Sequence, residues 1–292
     1  MSTSSSRLVY VNGAFVPIET ASVPVMDRGF LFADGIYEVT AVIAGRLADA
    51  APHLDRLDRS LREIGIANPH DTAHWTRLLI ELARRNRLTE GLIYIEVTRG
   101  VQERDFVPAS GLKPTVVMFT QSRPVRTNAN LAKGVSVISV PDLRWVRRDI
   151  KSVALLAQVL AKTAAAEAGA SEAWMVEEDQ VTEGASSTAF ILTRKRELIT
   201  RPLSQAVLPG ITRHAILDLA REQDLVLVER PFTLDEAKAA QEAFLTSAST
   251  IVLPVVSIDG AIVGDGAPGP ATLRLRNLYL DAVMAQAPDV LL

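Results

Sequence analysis

The chain has 292 residues, 48% of them hydrophobic, and no cysteine. Two domains, each with its own core, are expected at that length, and the missing thiols exclude disulfides, thiolate metal sites and cysteine nucleophiles. A net charge of −3 leaves no excess of positive charge for nucleic-acid phosphates or an anionic membrane, so the expected partner is a small molecule.

Residues 1–10 carry serines and one arginine without the apolar stretch of a signal peptide. No run approaches the roughly 20 apolar residues that span a bilayer. A cytoplasmic protein is the expectation. The chain opens with strands at 8–11 and 14–16 around Asn12-Gly13, a strong hairpin signal. A strand follows at 36–43 and turns at Ala44-Gly45. Leu54, Leu57, Leu61 and Ile64, then Trp75, Leu78, Leu79 and Leu82, recur with helical period and predict two amphipathic helices over a sheet. His70 and His74 stand at helical ligand spacing in a polar stretch that reads as a loop entering the second helix. A solvated helix start is expected there, not a metal site. Strands at 92–98 and 115–120 complete an α+β unit.

The polar, proline-bearing segment from Gln121 to Asn128 is the best linker in the chain. The expected domains are 1–123 and 131–292, joined by 124–130. The second offers a strand at 135–140, a helix at 153–168 stopped by Gly169, and strands at 173–176 and 189–192. A helix opening at Gly210-Ile211-Thr212 and a strand at 225–228 come next, then a helix with a capping box at Thr233-Leu234-Asp235-Glu236. Strands at 243–246 and 251–258 follow.

Lys151, in Asp149-Ile150-Lys151-Ser152, precedes the apolar run Val153-Ala154-Leu155-Leu156. A lysine set among buried elements presents a nucleophilic amine suited to a Schiff base. Glu183, read as part of a Gly/Ser-rich turn in Thr182-Glu183-Gly184-Ala185-Ser186-Ser187, is a carboxylate able to keep a pyridine nitrogen protonated. The pair suits pyridoxal phosphate (PLP), and transamination is the expected activity. Leu208-Pro209-Gly210-Ile211-Thr212 places amides and a hydroxyl at a helix start, where an anion is favoured. Thr246-Ser247-Ala248-Ser249-Thr250 adds hydroxyls and amides, and Arg56 a planar cationic fork for a phosphate.

Nearly end to end, the chain resembles the class IV aminotransferases, the PLP enzymes of fold type IV, and within them the D-amino acid aminotransferases. The resemblance is carried by Tyr10-Val11-Asn12-Gly13, Asp27-Arg28-Gly29-Phe30, Asp34-Gly35-Ile36-Tyr37-Glu38-Val39, His53-Leu54-Asp55-Arg56-Leu57, Val97-Thr98-Arg99-Gly100, Asp149-Ile150-Lys151-Ser152, Thr182-Glu183-Gly184 and Gly210-Ile211-Thr212. It implies an α/β (α+β) subunit of two domains with PLP at their interface, and a homodimer whose partner completes each substrate pocket. By the resemblance, Lys151 is the Schiff-base lysine, Glu183 the partner of the pyridine nitrogen, and Leu208 a contact on the ring. Arg56, Ile211 and Thr212 hold the phosphate, aided by Ser247 and the amide of Ala248, which stands where the family has a hydroxyl residue. Tyr37 and Val39 face the substrate.

The chain departs from the family in the loop Arg104-Asp105-Phe106. D-amino acid aminotransferases usually carry Arg-x-His there, gripping the substrate carboxylate from the neighbouring subunit. Here Arg104 is kept, Phe106 replaces the histidine, and the loop is one residue shorter, an alteration also met in (R)-selective amine transaminases. Arg28, Arg144, Arg147 and Arg148 are alternative carboxylate contacts, though solvated charge is the expectation for each. The expected reaction moves an amino group from a D-amino acid or (R)-amine to a 2-oxo acid. The alternatives are a branched-chain L-amino acid aminotransferase, an aminodeoxychorismate lyase, and a non-catalytic ligand-binding protein on the same fold.

Overall fold

The computed structural model describes residues 6–290. They form two compact units, of which the first holds residues 6–124, Ile150–Ala154 and residues 286–290. Its antiparallel sheet comprises β1 (Leu8–Val11), β2 (Ala14–Pro17), β3 (Gly35–Ile43), β4 (Arg46–Leu47), β5 (Glu90–Thr98) and β6 (Thr115–Ser122), in the order β2-β1-β6-β5-β3-β4. Asn12 and Gly13 both take positive φ, 47° and 102°, the conformation a two-residue hairpin requires. Helices α2 (Ala50–Glu63) and α3 (Thr72–Arg85) bury Leu54, Leu57 and Leu61, and Trp75, Leu79 and Leu82, against Ile36, Ile93, Ile95, Val97 and Met118. The α3 N-cap is Asp71, whose carboxylate accepts from the His74 amide.

Side chains alternate across a strand, so the residues between these core positions face the other way. That second face carries Tyr37 and Val39 on β3, Tyr94 and Glu96 on β5, and Val117 and Phe119 on β6, all half-buried. Ile150–Ala154, expected in the second domain, lies in this first unit because it pairs with the start of β3. The Tyr37 amide donates to the Lys151 carbonyl at 2.9 Å, the Val153 amide to the Gly35 carbonyl at 3.1 Å, and Ile150 enters the core. A short helix, α1 (Arg28–Phe32), has no counterpart among the expected elements. Its five residues are too few for a periodic signal, although Asp27 caps it through the Gly29 amide.

The second unit holds Val125–Asp149 and Leu155–Ala285. Its sheet runs β12-β11-β10-β13-β14-β7-β8-β9, with β15 (Ala261–Ile262) on β14. These strands are β7 (Val135–Pro141), β8 (Glu172–Glu177), β9 (Gln180–Gly184), β10 (Thr188–Leu192), β11 (Glu197–Thr200), β12 (Val226–Glu229), β13 (Glu242–Ser247) and β14 (Ile251–Ile258). Trp174, Ile191, Ile199, Phe232, Leu245, Leu253 and Ile258 fill one core. Helix α4 (Leu156–Glu167) packs Ala161 and Ala165 on Ala173 and Met175. It starts three residues later than expected, since Val153 is bound to Gly35. Helices α5 (Ile211–Arg221), α6 (Leu234–Lys238) and α7 (Pro270–Met284) complete the unit, and α6 has both halves of the expected capping box. Helix α7 is also absent from the expected elements. Its start is secured from β13 by Glu242, which accepts from the Thr272 amide and hydroxyl.

Candidate active site

Lys151 is fixed through its backbone and free at its tip. Its carbonyl accepts from Tyr37 and its amide donates to Ser60 Oγ at 3.4 Å, while Nζ lies 4.2 Å from the centre of the Tyr37 ring. Among the described residues that amine has no hydrogen-bond or ion-pair partner. Tyr37 stacks on Tyr94 with ring centroids 5.5 Å apart, and Tyr94 on Phe119 at 4.7 Å, so an aromatic wall leads away from the lysine.

On the core face of β3, next to Tyr37, Glu38 is fully buried. Arg56 Nε and Nη2 donate to its two oxygens at 2.6 and 2.9 Å, and His53 Nδ1 lies 2.8 Å from Oε2. Burial works against the Glu38 charge, but the Arg56 guanidinium and the His53 contact outweigh it and hold the carboxyl far below the usual range. Arg56, the expected phosphate ligand, thus turns two nitrogens of its fork to Glu38. Sequence reasoning passed over Glu38, although a carboxylate at a core-facing strand position is itself a signal, because a charge there needs a buried partner.

A lowered folded-state pKa adds stability that is complete above the unfolded carboxylate pKa and is lost as pH falls through the folded value. Glu38→Gln leaves Arg56 buried without its counter-charge, so unfolding at pH 7 should require about 3–5 kcal/mol less. The gap should narrow near pH 3, where the wild type loses part of this contribution. Denaturant titrations at both pH values measure it, and equal gaps would show that the Glu38 charge is not the stabilising element.

In the second unit, Glu183 belongs to strand β9 and not to a turn; Ala185, Ser186 and Ser187 after it form the bend. It is buried, accepts from Arg144 Nη1, and accepts the Leu208 amide on both oxygens at 3.2 and 3.3 Å. Arg144 also donates Nε and Nη2 to Asp142 at 3.0 and 2.7 Å, and Thr182 Oγ1 donates to Asp142 at 2.7 Å. Burial pushes the Glu183 carboxyl up, against the opposing pull of Arg144 and the Leu208 amide. Burial also disfavours the Arg144 charge, but Asp142 and Glu183 outweigh that and hold the guanidinium protonated.

Ile211 and Thr212 open α5, whose N-cap is Gly210, and no side chain caps its amides. A Cβ on Gly210 would lie 2.8 Å from Thr188 Oγ1 and 3.1 Å from Arg213 Cβ, so the close approach of strand and helix needs glycine there. Thr246 Oγ1 is buried with no partner among the described residues. Ser247 Oγ lies 3.1 Å from Ser249 Oγ and 2.8 Å from Thr250 Oγ1, and Ala248 lies in the turn after β13. Uncapped amides at a helix start favour an anion.

The loop carrying Arg104 and Phe106 belongs to the first unit and is exposed. Arg28 holds it, donating to the Asp105 carbonyl at 2.6 Å and the Phe106 carbonyl at 3.0 Å, with Nε on Asp34 at 2.7 Å. Burial opposes the Asp34 charge, yet Arg99 and Arg28 prevail and keep its pKa low. Phe32 lies under both guanidinium groups, 4.8 Å from Arg28 Cζ and 5.2 Å from Arg104 Cζ, and its ring centre is 5.3 Å from that of Phe106. The expectation of solvated arginines is therefore corrected. Arg28 and Arg148 are buried, the side chain of Arg144 is 6% exposed, and Arg147, 28% exposed, is bound to Asp149 at 3.0 Å. Each lies beside a carboxylate that offsets the cost of burial. Among the described residues no group of three or more potential metal ligands occurs, and His70 and His74 stack on each other with ring centroids 4.2 Å apart.

The chain matches the amino-transferase class IV model over residues 35–258. It is 37% identical to the D-alanine aminotransferase of Bacillus licheniformis over 280 residues, 95% of this chain and 98% of that one. It is 39% identical to that of Staphylococcus aureus (strain COL) over 274 residues, 92% and 95% of the two chains. Its fold is similar to that of the branched-chain aminotransferase of the archaeon Thermoproteus uzoniensis with norvaline, at a TM-score of 0.84, 26% identity, and coverage of 96% of each chain. With the family match spanning most of its length, the chain belongs to the class IV aminotransferase family.

Proposed function

We propose that this protein is a PLP-dependent transaminase that moves the amino group of a D-amino acid or (R)-amine to a 2-oxo acid. The observation that carries the proposal is Lys151, an amine without a partner held by its backbone on β3 beside an aromatic wall. The D-alanine aminotransferase relatives support the D configuration. The branched-chain alternative has the fold likeness alone behind it.

The residues present fit PLP. The uncapped start of α5, the unpartnered Thr246 hydroxyl and the Gly210 approach suit a phosphate, and the buried Glu183 suits a ring nitrogen. Lys151 would carry the cofactor covalently; Ile211, Thr212, Ser247 and the Ala248 amide would hold its phosphate with Arg56. Leu208 would lie on the ring. Bound, the cofactor supplies an electron-poor ring that takes up the electron pair left on the donor's Cα. Glu183, with its raised proton affinity, holds a proton at the ring nitrogen, and Arg144 orients that carboxylate. Lys151, as the neutral amine, would be placed to take the Cα proton of the donor on its Nζ. A base fixed on one side of the donor accepts only one configuration. Tyr37 and Val39 would line the donor's path.

The protein would work as a homodimer in which Arg104 of one subunit serves the neighbouring site. Two features support this: the exposed Phe106 and Val107 of the loop, and the exposed apolar side chains Leu156, Val159 and Leu160 along α4. A lost charge-assisted contact is worth about 1.5–3 kcal/mol, so Arg104→Ala should lower kcat/KM for D-alanine roughly 10- to 100-fold, mainly through KM. (R)-1-Phenylethylamine, with no carboxylate, should lose far less. Mixing Arg104→Ala with Lys151→Ala subunits should restore a wild-type KM, since a mixed dimer has one site with an intact lysine and an intact neighbouring loop. Equal losses for both donors would assign Arg104 to loop support, and failed complementation would place its effect within one subunit.

A further inference from the structure

The aromatic wall beside Lys151 ends in a carboxylate that the mechanism does not use. Glu96 is the direct cross-strand neighbour of Tyr37, and both side chains stand on the same half-buried face as Val39, Tyr94 and Phe119. Directly opposed side chains on antiparallel strands have their Cβ atoms about 4.5–5.5 Å apart. The ring that supports the Lys151 amine is thus flanked by the Glu96 side chain.

Two features separate Glu96 from the carboxylates on and beside β3. Glu38 and Asp34 each lie against an arginine. Glu96 has no cation: among the described residues its one hydrogen-bond partner is the Tyr94 hydroxyl, which donates to Oε2 at 2.8 Å. Burial pushes this carboxyl up, the Tyr94 hydrogen bond opposes the rise without cancelling it, and the charge of Asp27 adds to it. A half-buried carboxylate without a counter-ion attracts an incoming cation and repels an incoming anion more strongly than the same group in water.

We propose that Glu96 determines specificity for the side chain of the amino donor, favouring donors that bring an ammonium or another hydrogen-bond donor past Tyr37 and disfavouring those that bring a second carboxylate. This rests on the transaminase function proposed above, with the donor held beside Lys151 and Tyr37. Tyr94 keeps the carboxylate turned along the wall, and its other oxygen is left to the ligand. A basic D-amino acid such as D-ornithine is therefore a better donor than D-glutamate, whose side chain meets Glu96 with like charge.

The test uses the PLP-loaded wild type and Glu96→Gln, which keeps an acceptor for Tyr94 and removes the charge. The ratio of kcat/KM for D-ornithine to that for D-glutamate should favour D-ornithine in the wild type and fall about ten-fold or more in the variant. Glu96→Met should shift the ratio the same way, a check that does not depend on the amide. Calorimetry supplies a readout without turnover, with the Kd for glutarate, a non-reacting dicarboxylate, decreasing in Glu96→Gln. An unchanged ratio together with unchanged glutarate affinity would overturn the role of Glu96. A wild type that transaminates neither these donors nor D-alanine would overturn the transaminase reading itself, an outcome visible before any variant is made.

Discussion

Lys151→Ala should abolish turnover and, with it, the borohydride-reducible link between chain and cofactor. The expectation follows from where the amine stands. Its backbone is tied to Tyr37 and Ser60, its Nζ lies 4.2 Å from the Tyr37 ring centre, and no neighbouring lysine shares that edge of β3. The variant loses the covalent anchor and the base together. The base alone is typically worth about 10²–10⁴ in rate. Single-turnover formation of pyruvate from D-alanine measures the loss, and mass spectrometry after borohydride reduction measures the link. Wild-type turnover by the variant without added amines would sink the assignment of Lys151.

Glu183→Gln should keep the cofactor and slow removal of the Cα proton by roughly 10²–10³-fold, the usual effect of deleting one preorganised electrostatic contact. The fold supports Glu183 from two directions, with Arg144 on one oxygen and the Leu208 amide on both, so the amide side chain should occupy the same place. What it cannot do is hold a proton at the ring nitrogen. Burial pushes the Glu183 carboxyl up, which suits it to share that proton, whereas the neutral amide has no charge to offer. Rapid-mixing measurement of Cα–H cleavage, with a deuterated donor to expose the isotope effect, isolates this step from product release. An unchanged rate would mean that another group performs this role.

How far the sequence spoke for the site depended on the kind of signal. Periodicity announced α2 and α3 through Leu54, Leu57 and Leu61 and through Trp75, Leu79 and Leu82, and the Asn12-Gly13 turn announced the first hairpin. Lys151, Glu183 and Gly210-Ile211-Thr212 drew notice by local context. The charge pairs did not. Arg28 meets Asp34 within six residues and Arg144 meets Glu183 across 39, and nothing in the amino-acid order marks which arginines are buried. Arg28 stands on α1 and Arg144 in the segment after β7, each buried against a carboxylate that the fold supplies, while strand pairing moved Ile150–Ala154 beside β3 and made Glu183 a strand residue. Arg56 shows the same limit. Its residue type suggested an anion contact, and only the fold revealed that Glu38 takes up two of its nitrogens.

Whether the Lys151 amine acts on donors of D configuration is decided most directly by a single-turnover comparison. The PLP-loaded protein, without acceptor, is mixed with D-alanine or L-alanine and pyruvate is followed. D-Alanine should yield one pyruvate per site with loss of the borohydride-reducible link at Lys151, and L-alanine should yield neither at a comparable rate. Faster reaction with L-alanine, or with L-leucine in the same format, would contradict the assignment of configuration and return the chain to the branched-chain alternative.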